Sequence, residues 1–204
     1  MRIIARLVRD RTAASAAEFA MVLPLLMILL FGIIDAGRFL WEFNEAEKAT
    51  QMGVRFAVAT DPALSGLSGY SFATSSDAIP AGDAVPTANF SNATCTSASC
   101  TCTSTTGGFC GTVGLNTTAF QAIRARMALM YPAIKDANVI VSYKNVGLGF
   151  AGNPDGPDVS PLVTVKLTGL TFHPITCFVL PCSMTMPDFS AALTAEDLNG
   201  SIAN

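Results

Sequence analysis

The residues able to do chemistry are few: six cysteines, one histidine, a small group of loop oxygens and one acid set against an apolar run. The cysteines are Cys95, Cys100, Cys102, Cys110, Cys177 and Cys182. Their even number suits an oxidising compartment and a disulfide framework, for which six cysteines allow fifteen pairings. Cys177 with Cys182 closes a short loop and is the expected bridge there. The other four pair among themselves, with Cys100 to Cys102 least favoured because one intervening residue strains the geometry. A zinc site is the rival reading, but C-x4-C-x-C-x7-C is not a usual zinc spacing and no histidine lies nearby. His173, between Phe172 and Pro174, sits in a turn context, where a lone imidazole serves structure more often than catalysis. Asn153, Asp155 and Asp158 offer oxygens in a Gly/Pro loop, but their spacing is not that of an EF-hand, so a solvated turn is expected. No glycine-framed serine nucleophile and no phosphate-cradling loop followed by lysine is present. No enzyme activity, cofactor, metal or small-molecule substrate is therefore expected.

Glu18 is different. It heads the apolar run Phe19 to Ile34, which contains no other charge. A carboxylate at the bilayer centre costs roughly 2.5–3.5 kcal/mol on insertion scales, and ionisable residues inside membrane segments usually mark function. Just before it lies a basic leader, Arg2, Arg6, Arg9 and Arg11, opposed only by Asp10. The positive-inside rule then places the N-terminus in the cytoplasm and everything after Ile34 outside.

Those side chains need elements to position them. The run Phe19 to Ile34 rises about 24 Å as a helix, short of a ~30 Å hydrocarbon core. Extending it back through Ala13, Ala14, Ser15, Ala16 and Ala17 restores a spanning length and puts Glu18 inside. Pro24 removes the bond to Ala20, a loss that membrane helices tolerate at the cost of a modest kink. Ala13 and Ala17, Ala16 and Ala20, and Gly32 and Ala36 are small residues four apart, a spacing that lets membrane helices approach closely. Beyond Asp35 the pattern continues: Phe39, Phe43, Ala46, Thr50, Gly53 and Ala57 recur at fours and threes. Arg38 to Glu42 and Glu45 to Lys48 fall at helical contact distance. One helix from about Ala14 to Ala59 is expected, roughly 69 Å long. Its first half suits lipid, its second half is amphipathic, and Asp61-Pro62 ends it. Trp41 lies where an interfacial aromatic belt would sit, or packs in the amphipathic half.

The remainder reads as an insert and a small domain. Residues 60–118 are rich in Ser, Thr, Ala, Gly, Asn and Pro, with weak periodicity, and read as loop or a partly ordered insert stapled by four cysteines. Sequons at Asn89, Asn92 and Asn116 matter only in a glycosylating host. A helix is expected from Ala119 to about Met130, capped by Thr118, with Phe120, Ile123, Met127 and Met130 as its apolar stripe. Strands follow around Val139–Tyr143 and Val163–Leu167, and Phe189 to Leu198 suits an edge strand. The fold class is α+β: a basic leader over 1–13, a transmembrane and amphipathic helix over 14–59, the insert over 60–118, and over 119–204 a domain with one helix on a short antiparallel sheet.

Composition agrees with this layout. Only 13% of the residues are charged, about half the ~25% usual for soluble domains. Of the 12 Lys and Arg and 15 Asp and Glu, four bases and one acid lie in the first eleven residues. The rest is acidic and offers no nucleic-acid footprint.

The stretch Ala13-Ala14-Ser15-Ala16-Ala17-Glu18-Phe19-Ala20-Met21-Val22-Leu23-Pro24-Leu25-Leu26, with Phe31-Gly32-Ile33-Ile34-Asp35-Ala36-Gly37-Arg38, closely resembles the N-terminal segment of TadE-like proteins, pseudopilins of the bacterial tight-adherence (Flp-type) pilus. The resemblance covers roughly residues 11–59. It implies cutting by a prepilin peptidase between Ala13 and Ala14, although the residue before the cut is usually Gly. The mature chain would then begin with a free amine on Ala14. That amine could meet Glu18 of a neighbouring subunit, offsetting the burial cost and fixing axial register between helices. Implied partners are the major pilin, a sister pseudopilin, the prepilin peptidase and the pilus platform proteins, in the bilayer of the inner membrane with the outer domain in the periplasm. Two other readings stay open: a binding or adhesion module on a plain signal anchor, which would keep residues 1–13, and a secreted enzyme cut near Ala36.

Overall fold

The computed structural model describes residues 11–106, 108–177, 181–195 and 197–200, with backbone alone at 11–14. The basic leader up to Asp10 and Glu196 of the last stretch lie outside the described residues. Helix α1 runs unbroken over Arg11–Val58, with Pro24 inside it. A second helix, α2, covers Thr117–Ala128. Among the described residues the strands are, in order, β1 Asn92–Cys95, β2 Cys100–Thr103, β3 Val139–Lys144, β4 Leu162–Leu167, β5 Thr171–Phe172, β6 Met184–Thr185 and β7 Phe189–Thr194. The fold is α+β, a long apolar N-terminal helix followed by a small domain with one helix and an antiparallel sheet.

Two compact units divide these elements. The first comprises the helix up to Glu42 together with Thr171–Met184, and the second holds Phe43–Leu170 and the chain from Thr185.

In the second unit the sheet order is β2-β1-β3-β4-β7, and every neighbouring pair is antiparallel. Strands β3 and β4 alternate as their sequences require. Val139, Val141 and Tyr143 are buried, as are Val163, Val165 and Leu167 opposite them. On that face Ala46, Ala49, Thr50, Gly53, Val54 and Ala57 of α1 are buried, and so are Phe120, Ile123 and Met127 of α2. Gly53 marks the closest approach: a Cβ there would stand 2.7 Å from Met127 Cγ and 3.3 Å from Val165 Cγ1. Phe43 meets Phe189 edge-on, with centroids 4.8 Å apart. The Tyr143 hydroxyl accepts a 2.7 Å bond from the Ala63 N–H just beyond the end of α1. Burial pushes the Tyr143 phenol well up, only partly countered by the N–H groups of Ala63 and Leu64.

Two expectations need correction. The cap of α2 is Asn116, whose side chain accepts from the Ala119 N–H at 3.2 Å, so the helix starts at Thr117 and Thr118 lies inside it. Met130 lies beyond its end. The Ser/Thr-rich segment read as loop supplies two strands of the sheet, β1 and β2, with β1 paired directly to β3. It also carries an aromatic cluster: Tyr70, Phe72, Phe90 and Phe109 meet with centroids between 4.8 and 5.4 Å apart. Beside the cluster Tyr70 donates to Asp77 Oδ2 at 2.5 Å, and burial followed by that carboxylate raises the Tyr70 phenol. The disulfides are Cys95–Cys100, Cys102–Cys110 and Cys177–Cys182. The first two tie β2 to β1 and to the 3-10 turn Phe109–Gly111.

Candidate interface on the N-terminal helix

Leu, Ile, Met, Val and Phe fill α1 from Phe19 to Ile34 with no residue to end it, and the backbone of Ala13 and Ala14 is already helical. The apolar run is exposed from Phe19 to Leu30 and at Ile33 and Ile34, with Phe31 and Gly32 half-buried. Met21 is 81% exposed and Leu25 69%, and an apolar surface of this extent marks a site covered by protein or membrane. The helix is long and apolar enough to cross a membrane. Glu18 is exposed on it, and so are Ala16, Ala20, Pro24 and Ala36, with Gly32 half-exposed. Added Cβ atoms at Gly32 or Gly37 would meet nothing within 4 Å.

Angular position sorts these residues. Residues 18 and 36 are eighteen apart, which is five turns at 3.6 residues per turn, so Glu18 and Ala36 lie on one face about 27 Å apart. Gly32 falls close to the same stripe. Ala16 and Ala20 point to the opposite side of the helix, so the small residues do not form one continuous seam.

One site in the first unit was not singled out from sequence. Asp35, the first residue after the apolar run, is buried at 4% exposure. Its Oδ1 accepts from the Ile175 N–H at 2.8 Å, and its Oδ2 from the Thr176 N–H at 2.8 Å and the Thr176 hydroxyl at 2.7 Å. Arg38, one turn on, lies 3.3 Å from Asp35 and 3.8 Å from Glu42. Its guanidinium donates to the His173 carbonyl at 3.4 Å and stands 5.4 Å over the Phe172 ring. Phe39 meets Phe172 edge-on at 5.5 Å. The segment Thr171–Thr176 is thus clamped to one helical turn by a carboxylate that caps its amides. The loop is closed by Cys177–Cys182, and His173 Nδ1 lies 2.9 Å from the Cys182 carbonyl. An apolar cavity of about 240 Å³ opens between Gly32, Ala36 and Phe39 on the helix and Phe172, Pro174 and Met184 on the loop. The sequence signal was present but ambiguous: an acid closing an apolar run, with Arg38 at i+3.

The loop oxygens do not converge on a common point. Asp158 is buried and spends its two oxygens on the Phe72 N–H at 2.7 Å and the Asn153 N–H at 3.0 Å. Asn153 Oδ1 accepts from the Asp155 N–H at 3.2 Å, and Asp155 itself is exposed. Asp158 therefore orders the loop against the aromatic cluster.

Residues 13–55 match the family model described as TadE-like protein. The match is a likeness of that N-terminal segment, about a fifth of the chain. No curated protein and no solved structure gives a significant match.

Proposed function

We propose that this chain is a membrane-anchored pseudopilin that acts in assembly of a tight-adherence pilus through helix–helix contacts with other pilus components. The observation that carries the reading is a coincidence: the segment matched as TadE-like, residues 13–55, contains the exposed apolar run headed by Glu18. A prepilin peptidase cuts between Ala13 and Ala14. The new amine of one subunit pairs with Glu18 of the next, and Ala16 and Ala20, on the other side of the helix, admit a second close neighbour. The subunit sits in the bacterial inner membrane with residues 1–13 in the cytoplasm before cutting and the domain beyond the helix in the periplasm. Its partners are the major pilin, a sister pseudopilin and the platform proteins, and its role is structural.

Mass spectrometry of the membrane-extracted chain tests the cut, with Ala14 as the expected first residue. Retention of residues 1–13 would instead favour an adhesion module on a plain signal anchor. Glu18→Ala tests the register. Piliation and co-purification of pilus partners are expected to fall at least tenfold at unchanged protein abundance. Unchanged piliation would remove the pairing from the mechanism.

A further inference from the structure

We infer that Thr171–Thr176 and Met184 form a membrane-surface foot, which seats Ile175, Met184 and the groove beside Gly32 and Ala36 in the lipid at the outer end of the spanning helix. The inference rests on the reading of α1 as a membrane span, and on nothing about pili.

Level along the helix comes first. A span from Ala14 to Ile34 is about 31 Å long and fills a ~30 Å core, so its outer boundary lies at Asp35. The loop is bonded at that level: Asp35 takes the Ile175 and Thr176 amides, and Arg38 takes the His173 carbonyl. Gly32 stands about 4–5 Å to the hydrocarbon side of Asp35 and Phe39 about 6 Å to the other. A segment held there displaces headgroups.

Polar bookkeeping comes second. Backbone exposed to lipid must have its hydrogen bonds satisfied within the protein. Here the Ile175 and Thr176 N–H groups and the Thr176 hydroxyl are spent on Asp35, the His173 carbonyl on Arg38, and the Cys182 carbonyl lies against His173 Nδ1.

The apolar surface comes third. Ile175 is 50% exposed and Met184 43%, while on the helix at the same level Leu40 is 59% and Trp41 69% exposed. The groove between loop and helix is walled by Phe39, Phe172, Pro174 and Met184, and it is continuous with the exposed run below it. Asp35 also lines the groove, but its oxygens are spent on the Ile175 and Thr176 groups, so the surface offered to lipid there is mainly apolar. Trp41, about 9 Å beyond Asp35, stands where interfacial tryptophans collect.

Trp41 is the only tryptophan, so single-tryptophan reporters are simple to make in a Trp41→Phe background. The full chain is reconstituted in phosphatidylcholine vesicles carrying bromines either shallow or deep on the acyl chains, with aqueous iodide as the opposing quencher. The Ile175→Trp reporter is expected to be quenched at least twofold more by shallow than by deep bromines. Its iodide quenching should be below a third of that of free N-acetyltryptophanamide. The Leu25→Trp reporter is quenched most by deep bromines. If Leu25→Trp responds to deep bromines while Ile175→Trp follows iodide, the foot is wrong and the span stands. If Leu25→Trp is also insensitive to bromine, the span itself fails. Shielding of Ile175→Trp from both quenchers means that protein, a second copy of the chain, covers the loop, and this too overturns the inference.

Discussion

At the scale of single residues, two carboxylates divide the work of the N-terminal helix. Glu18 is exposed on the apolar run, whereas Asp35 is buried and spent within its own chain. Glu18 is therefore open to another molecule, as the proposed pairing requires, and Asp35 organises a loop. Replacing Asp35 by Ala leaves the Ile175 and Thr176 amides without their acceptor. Hydrogen exchange of the full chain in lipid nanodiscs should show those two amides moving from protected to fast exchange, with residues Met21 to Leu30 unaffected. Asp35→Asn should fall between, because an amide oxygen accepts but carries no charge for Arg38. Protection retained in Asp35→Ala would mean that Cys177–Cys182 and the Phe39–Phe172 contact hold the loop unaided. Glu18 could be read from sequence because the anomaly is local, a charge beside sixteen uncharged residues. Asp35 could not, because its partners lie about 140 positions away and Ile175 and Thr176 are bonded through backbone groups that carry no sequence signature.

At the scale of elements, legibility followed the size of the side chains. Strands β3 and β4 announce themselves by alternating Val, Ile, Tyr and Leu, and the amphipathic half of α1 by its threes and fours. Strands β1 and β2 read Asn-Ala-Thr-Cys and Cys-Thr-Cys-Thr. What β1 buries is Ala93 and Cys95, too small to raise a period-two signal above a Ser/Thr-rich background. Pairing to β3 and two disulfides supply the order that local propensity lacks. Where small residues are buried, size is the constraint. Gly53→Ala should gain about 1 kcal/mol of helix propensity yet destabilise the second unit, since crowding Met127 and Val165 costs about 1–3 kcal/mol. In a Met127→Ala background the same change should become stabilising, a reversal read from urea midpoints. Tyr143 offers a pH test. Its phenol is raised by burial, so its contribution is intact below about pH 10 and is lost as pH climbs from there towards the folded value. Tyr143→Phe strands the Ala63 N–H and should cost about 1–3 kcal/mol at pH 8. The gap between the variant and the parent should narrow by pH 11.

At the scale of the whole molecule, the chain combines two kinds of stability. The first unit is a helix whose apolar surface is exposed, with one short clamped loop; the second has a buried core of sheet, helix and aromatic cluster. Lipid or detergent holds the first, and hydrophobic burial in water holds the second. A single cooperative transition is not expected of such a chain. In dodecylmaltoside micelles, urea should abolish the near-ultraviolet signal of the second unit, which holds all three tyrosines. About half of the far-ultraviolet helix signal should persist, since α1 up to Glu42 belongs to the first unit while the rest of α1 and all of α2 do not. The two disulfides of the second unit close short loops, and each restricts the unfolded chain by about 2 kcal/mol. Against a typical stability of 5–15 kcal/mol, reduction with dithiothreitol should move the first transition to markedly lower urea and leave the residual helix unchanged. Reduction that weakened both parts together would show that the two units unfold as one, and the division of labour between bilayer and core would have to be abandoned.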